Sequence, residues 1–194
     1  MSSADYRRNL RANFRGCWSG VFGFDEFVYL MTITVRHGLT QAFNAGMKKA
    51  GIESFAINPE EKLELQNMIF TETNHIGNVA AWLDQNKKAD GTKLATILRR
   101  ADGWVARWGE ANALGYQLGL KDEPQEWFLG ATEKHCHDCS TYNGRVYRAS
   151  VWAKHGIRPK STKLSCFGIH CDCKLDKTDK KLNRGRPPKP TGKG

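Results

Sequence analysis

Five of the six cysteines in this chain of 194 residues fall into two groups toward its C-terminal end. The first group is a C-x2-C pair, and the second follows 26 residues later with the spacing C-x4-C-x-C. Two such turns can surround one tetrahedral metal ion, and thiolate ligands suit Zn²⁺ best. The candidate metal ligands are Cys136, Cys139, Cys166, Cys171 and Cys173.

The second group offers more thiols than a four-ligand site needs. Cys136 and Cys139 supply two ligands, so two of Cys166, Cys171 and Cys173 are required to complete the site. In an extended "CDCKL" strand, Cys171 and Cys173 would face the same side and could reach one metal ion together, as could Cys166 with either. Three histidines beside the cysteines are alternative ligands, although such neighbours more often lie outside the ligand set: His135, His137 and His170.

Three other uses of these thiols are less consistent with the sequence. Disulfides require export, and no apolar stretch follows the basic N-terminus as it would in a signal peptide, so we expect a soluble cytosolic protein. A redox C-x2-C pair should lie between a strand and a long helix, but this pair leads into the turn-forming "STYNG". An iron–sulfur cluster is the remaining alternative.

The sequence also bears on whether the metal is catalytic. A catalytic zinc site keeps an open coordination position and usually works with a general base. The chain has no HExxH motif and no deaminase pattern, and nothing singles out Glu133 or Asp138 as a base. We therefore predict one structural Zn²⁺ per chain and no enzymatic activity.

Residues 1–124 have the apolar periodicity of a helical body. Asn58 and Pro59, followed by Glu61, predict the start of a long helix, because these residues suit the cap, the first turn and the helix dipole. Further helices are predicted before this one and after the turn at Asp90 and Gly91. The helix before it has a buried stripe with a spacing of four: Phe27, Met31, Val35, Leu39, Phe43 and Met47. Short connections between the helices predict an elongated antiparallel body.

The composition of the sequence changes after Pro124. Short β-prone segments, "EWFLG", "GRVYRAS" and "CDCKL", alternate with turn-forming residues. Residues 125–176 are therefore predicted to be a small β-rich module that depends on zinc to fold, and we call them the cysteine-rich module. Residues 177–194 have no apolar residue after Leu182 and are predicted to be a disordered basic tail. The predicted fold class is α+β, mainly α, with these three parts in order.

Positive charge is concentrated at the C-terminal end. Residues 174–194 contain eight Lys and Arg but two Asp, which gives +6 of the chain's net charge of +10. Such a segment neutralises phosphate without reading base sequence. The candidate nucleic-acid contacts are Lys180, Lys181, Arg184 and Arg186. No membrane association is expected, because the longest apolar-leaning run, residues 27–35, is far shorter than the roughly 20 residues of a membrane-spanning helix.

The segment "CHDCSTYNGRVYRASVWAKHGIRPKSTKLSCFGIHCDCKL", after a helical N-terminal body, resembles the phage head morphogenesis family of Mu F-like minor head proteins. The resemblance covers residues 5–176 and is most specific over 126–175. Many members of that family end in His-Pro-x-Cys-Arg-Cys, whereas this chain lacks the His-Pro and has Asp172 in place of the arginine. We favour Cys166 for the ligand that the histidine would supply. The matching positions are Cys136, Cys139, Asn143, Gly144, Val146, Cys166, Cys171 and Cys173.

The resemblance implies a minor virion component that acts in head morphogenesis at the portal or the capsid interior. Its expected partners are the portal or major capsid protein, together with packaged DNA through the basic tail. Its expected location is the host cytoplasm during assembly and the virion head afterwards. The residues alone leave two alternatives: a zinc-dependent, nonspecific nucleic-acid-binding protein and, with less support, a metal-dependent hydrolase.

Overall fold

The computed structural model describes residues 1–53, 56–87, 93–169 and 171–192. Four long helices come first: α1 (Ser3–Ser19), α2 (Phe24–Lys49), α3 (Pro59–Lys87) and α4 (Leu94–Gly119). A smaller region follows, with the elements β1 (Pro124–Phe128), α5 (His137–Tyr142), β2 (Val146–Arg148), α6 (Ala149–Lys154) and β3 (Lys174–Lys177). The predicted order, a mainly helical body followed by a small β-containing region with the clustered cysteines, is confirmed.

Capping interactions fix the starts of two long helices. At α1, the side chain of Ser2 accepts a hydrogen bond from the backbone N–H of Asp5, whose carboxylate accepts one from the backbone N–H of Ser2. The same reciprocal pattern precedes α3, where Asn58 and Glu61 each accept from the backbone N–H of the other at 2.9 Å. Each arrangement satisfies two backbone N–H groups at the helix start. The helix start predicted at Asn58 is confirmed.

Helix α2 lies at the centre of the body and packs against α1, α3 and α4. Its predicted stripe, from Phe27 to Met47, is fully buried. Burying each such side chain contributes about 1.5–3 kcal/mol, so this stripe is a main source of the stability of the body. Within the described residues, no helix combines the length and the apolar character needed to cross a membrane.

Helices α2 and α4 meet backbone to backbone. A Cβ atom on Gly46 would lie 2.0 Å from the carbonyl oxygen of Asn112, and one on Gly115 would lie 2.2 Å from that of Phe43. The amide of Asn112 also donates a hydrogen bond of 3.0 Å to the carbonyl oxygen of Ala42. This close approach requires glycine at both positions.

The sheet is antiparallel, with strand order β2-β1-β3. Glu126 of the central strand β1 lies opposite Val146 of β2 and Asp176 of β3. One face of the sheet carries an aromatic cluster whose ring centroids lie 5.0–5.9 Å apart: Trp127, Tyr142, Tyr147 and Trp152. These rings form a core for the C-terminal region that is separate from the core of the helical body.

A buried ion network connects α4 to the cysteine-rich module. Nη1 of Arg107 lies 2.6 Å from one carboxylate oxygen of Glu110, and Nη2 of Arg158 lies 3.0 Å from the other. Nη2 of Arg107 also donates a hydrogen bond of 2.9 Å to the carbonyl oxygen of Phe167. The two parts of the chain are therefore joined by charged groups that are mostly removed from water.

The prediction of a disordered tail is not confirmed. Asn183 pairs with Val146 through two hydrogen bonds, and the carbonyl oxygen of Pro188 accepts one from the hydroxyl of Tyr142. The apolar content of the tail is low, as the sequence indicates. Its contacts with the rest of the chain are made instead by polar groups, both backbone and side chain, and by the buried Pro187.

Candidate metal centre

The five predicted ligand residues come together in one cluster. The sulfur atoms of Cys136, Cys139 and Cys166 lie within 4.8 Å of one another, as do those of Cys139, Cys171 and Cys173. Cys139 belongs to both groups, so the sulfurs of both sequence motifs surround one small volume. None of these cysteines forms a disulfide.

The first pair is positioned by the start of α5. Cys136 is the N-terminal capping residue of this helix, and its Sγ accepts a hydrogen bond of 3.4 Å from the backbone N–H of Cys139. The sequence favoured a turn after Cys139, but α5 continues to Tyr142 before the turn at Asn143. The short helix directs both sulfurs of the C-x2-C pair toward the same volume.

The cysteines of the second group are positioned by two different segments. Cys166 lies in a loop where the backbone N–H of Ile169 donates to its carbonyl oxygen at 3.0 Å. Cys171 and Cys173 directly precede β3, which begins at Lys174, so the predicted strand through both cysteines is shorter than expected. Their sulfurs nevertheless lie on the same side, beside Cys139.

The cluster fits the dimensions of a zinc site. Sγ of Cys139 lies 3.8 Å from Sγ of Cys171. Zn–S bonds of about 2.3 Å in a tetrahedron separate neighbouring sulfurs by about 3.8 Å. Cys139, Cys171 and Cys173 are also buried, which matches the closed surroundings of a structural metal ion. The type, spacing and burial of these residues therefore fit a zinc site.

The thiols strongly influence one another's pKa values. Hydrogen bonds from Cys139 and Cys173 lower the pKa of Cys171, and sharing its proton with Cys171 raises the pKa of Cys139. Burial alone would raise the pKa of Cys136, but hydrogen bonds from Ser165 and from the N–H of Cys139 lower it. The lowered pKa values belong to Cys136 and Cys171, and thiolate is the form of cysteine that binds metal.

The neighbouring histidines are placed differently from one another. His135 lies with Asp172 and Cys173 in a third group whose ligand atoms are within 4.8 Å of one another. His137 is exposed on α5. His170 lies outside the described residues. Among the described histidines, His135 is therefore the one that lies in such a group together with a cysteine of the cluster.

Two carboxylates support the cluster in ways that the sequence did not indicate. Asp138, between the first two cysteines, is 2% exposed and accepts hydrogen bonds from the backbone N–H of Ser165 and of Thr191, at 2.7 Å and 3.0 Å. Asp172, between the last two, accepts from the backbone N–H and the hydroxyl of Thr132. Each aspartate thus ties a cysteine-bearing segment to another loop. Their positions between paired cysteines are the signal that could have found them.

The predicted nucleic-acid contacts all lie on the C-terminal segment, but their surroundings differ. Lys180 lies 2.6 Å from the carboxylate of the buried Glu126. Lys181, Arg184 and Arg186 are exposed. Three of the four predicted contacts therefore present their charge to solvent, while the fourth is partly neutralised.

Comparison of the chain with protein-family models matches no family, and comparisons with curated proteins and with solved structures find no significant match. Evidence for function therefore comes from the geometry of the cysteine cluster.

Proposed function

We propose that this chain is a non-enzymatic structural protein whose cysteine-rich module is held by one structural Zn²⁺. The observation that carries this proposal is the meeting of all five clustered sulfurs around Cys139. Sites made only of thiolates are typically closed and structural, whereas catalytic zinc keeps a position open for water or substrate. The small size of the module also fits a fold that draws much of its stability from metal binding.

Within this proposal, the ligands are Cys136, Cys139, Cys166 and Cys171. Cys166 groups with both members of the first pair. Cys171 and Cys173 both share a group with Cys139 and not with Cys136, and Cys171 is preferred because its Sγ lies 3.8 Å from that of Cys139, the separation of two zinc ligands. Cys173 then acts as a neighbour of the bound ion that hydrogen-bonds to the ligand sulfurs.

The bound ion would stabilise the contact between the module and the helices. Cys166 immediately precedes Phe167, whose carbonyl oxygen accepts the hydrogen bond from the buried Arg107 of α4. Fixing Cys166 therefore fixes the loop that touches the helical body. Such an arrangement suits a rigid assembly part rather than a moving catalytic lid.

We propose further that this assembly function is head morphogenesis in a tailed phage or prophage, as a minor capsid protein at the portal or the capsid interior. The support is the cysteine signature shared with Mu F-like minor head proteins, together with a helical body that carries a docked cysteine module. The expected partners are the portal or major capsid protein and packaged DNA. The expected location is the host cytoplasm and then the virion head.

Sedimentation tests the head assignment. The tagged chain is expressed with the capsid and portal proteins of the element that encodes it, and proheads are separated on a gradient. The chain should migrate with proheads, and a Cys139→Ser variant should remain near the top with soluble protein. Proheads that form normally and contain none of the wild-type chain would contradict this assignment.

A nonspecific nucleic-acid-binding protein remains the second candidate, because Lys181, Arg184 and Arg186 are exposed. Binding of DNA that weakens steeply with rising salt would support it. Replacing these three residues with glutamine should then abolish binding while leaving the metal content unchanged. Unchanged binding by that variant would exclude the C-terminal segment as the contact.

A further inference from the structure

A groove runs along α4, between α1 and residues 160–169 of the cysteine-rich module. It encloses about 950 Å³. A second cavity of about 370 Å³ adjoins it and shares Arg100 and Ile169 with it. We call the combined feature the basic groove, and its principal lining residues are Arg7, Arg99, Arg100, Trp108, Lys160 and Ile169.

Among the described residues, the lining of the groove has more positive than negative side chains. Two carboxylates line the groove: that of Asp102 lies 3.2 Å from Arg7 and is already paired, and that of Glu72 lies in the second cavity, which Arg107 also lines. Among the residues that the structure describes, no carboxylate lies at ion-pair distance from Arg99, Arg100 or Lys160. Three cations along one groove attract an anionic partner and raise its rate of association.

The groove also presents exposed apolar side chains. Phe167 is 46% exposed and Ile169 is 51% exposed, although both are large hydrophobic residues. The backbone of Phe167 has a φ of 52°, a left-handed conformation that bulky residues rarely adopt. Hydrogen bonds from Arg107 to the carbonyl oxygen of Phe167 and from Ile169 to that of Cys166 fix this loop. The two side chains are therefore displayed by a well-fixed backbone beside the cations.

We propose that the basic groove binds an acidic peptide segment of a partner protein. Carboxylates of the peptide would pair with Arg99, Arg100 and Lys160, and an apolar side chain of the peptide would cover Ile169 and Phe167. Aromatic and apolar anchors next to charged rims are the usual composition of peptide-binding surfaces. This inference deepens the proposed assembly function, on which it rests, by naming the chemistry of the partner.

The lining favours a peptide over a nucleic acid. Binding a single strand without sequence preference needs aromatic faces on which successive bases can stack. Of the Phe and Trp residues described along the groove, Trp104 is buried and Trp108 is half-buried, so Phe167 is the exposed ring among them, and it lies beside the aliphatic Ile169. Aliphatic groups offer no stacking face, but they fit the leucine or valine side chain of a peptide.

A peptide selection tests this proposal with the full, zinc-loaded chain. A displayed library of short random peptides is selected against the protein, and the enriched peptides are synthesised with a fluorescent label. We expect sequences that combine several Asp or Glu with at least one large apolar residue. A double variant, Ile169→Asp with Arg99→Glu, should weaken their binding by about tenfold or more.

The chain offers a matched control on α2. Ile33 is 47% exposed and Arg36 is exposed nearby, so Ile33→Asp with Arg36→Glu makes the same chemical change on another surface. This control should change the affinity by less than about twofold. Circular dichroism and metal content, measured on every variant, show whether the groove variant has kept its fold. A second variant, Lys160→Glu, should also weaken binding and gives a separate test if the first unfolds.

Several results would overturn the proposal. These are the absence of enriched peptides, enrichment of peptides without acidic residues, or equal losses in the groove and control variants. Binding of an oligothymidylate that depends on Arg99 and Ile169 and displaces the peptide would assign the groove to nucleic acid instead. If the chain binds zinc but no peptide, the groove proposal is overturned and the structural-metal proposal is not. A chain without zinc would contradict the structural-metal proposal, whatever it binds in the groove.

Discussion

Nη2 of Arg158 lies 3.0 Å from Oε1 of Glu110, although the two residues are 48 positions apart in the chain. The same carboxylate also pairs with Arg107 on its own helix. Glu110 and Arg107 are almost fully buried, so the network lies at the contact between α4 and the cysteine-rich module. This contact makes the module and the helical body one packed unit.

The first prediction concerns Glu110. Removing one partner of a buried ion pair leaves an uncompensated charge, which costs about 3–5 kcal/mol. Because Arg158 is partly exposed, we expect Glu110→Gln to reduce the free energy of unfolding by about 2–3 kcal/mol in urea titrations. The control is Glu123→Gln, which removes an exposed pair with Lys177 and should cost less than about 1 kcal/mol. Equal costs for the two variants would show that the buried network does not join the two parts.

The second prediction concerns the close crossing of α2 and α4. Gly115→Ala would force its Cβ against the carbonyl oxygen of Phe43, so the helices must separate, and we expect a loss of about 2 kcal/mol or more. Gly103 lies on the same helix with open space around the position of a Cβ. Gly103→Ala should instead stabilise the chain by up to about 1 kcal/mol through helix propensity. Thermal unfolding of both variants measures the difference, and a tolerated alanine at position 115 would contradict the observed crossing.

The third prediction concerns the pH dependence of stability. Burial raises the pKa of Glu72 to about 7, with Arg107 opposing the shift and Glu110 adding to it. A carboxyl group whose pKa is higher in the folded state binds more protons there, so its contribution to stability falls as pH rises from about 4.5 to about 7. Glu72→Gln should therefore stabilise the chain at pH 8, by about 1–3 kcal/mol, and have little effect near pH 4. Urea titrations at the two pH values measure this difference, and a gain of equal size at both would exclude the titration of Glu72 as its cause.

The fourth prediction concerns the link between Asp138 and the C-terminal segment. Asp138→Ala removes hydrogen bonds to Ser165 and Thr191, and charged hydrogen bonds of this kind contribute about 1.5–3 kcal/mol. We expect a lower unfolding temperature and faster release of zinc to a chelator. Glu133→Ala, which removes an exposed carboxylate in the segment before α5, is the matched control and should change neither quantity. Zinc release at the wild-type rate in the Asp138 variant would show that the C-terminal segment does not support the metal centre.

The sequence predicted the features that repeat with a regular period or a fixed spacing. The apolar stripe of α2 recurs every four residues, and the start of α3 carries its own capping residues, so both could be read locally. The cysteine cluster was also predicted from the motifs. A C-x2-C turn and a second cysteine group near β3 have few uses in one chain other than binding one metal ion together.

The remaining features depend on contacts between residues that are distant in the sequence. Nothing periodic marks Glu110 as the partner of Arg158, since helix charges usually face solvent. The contact between Asp138 and Thr191 spans 53 positions and uses a backbone N–H, which composition cannot reveal. Low apolar content in the C-terminal segment therefore predicted disorder, while polar contacts with the module place that segment along its surface.

Metal content by elemental mass spectrometry, on protein purified under reducing conditions, tests the central claim most directly. The account predicts about one zinc per chain, its loss in Cys136→Ser and Cys166→Ser, and its retention in Cys173→Ser. Cys17→Ser, a change within α1, should also retain the metal. Loss of zinc in Cys173→Ser but not in Cys166→Ser would correct the ligand set. Wild-type protein without zinc, and with its helices and module still folded, would contradict the structural-metal account.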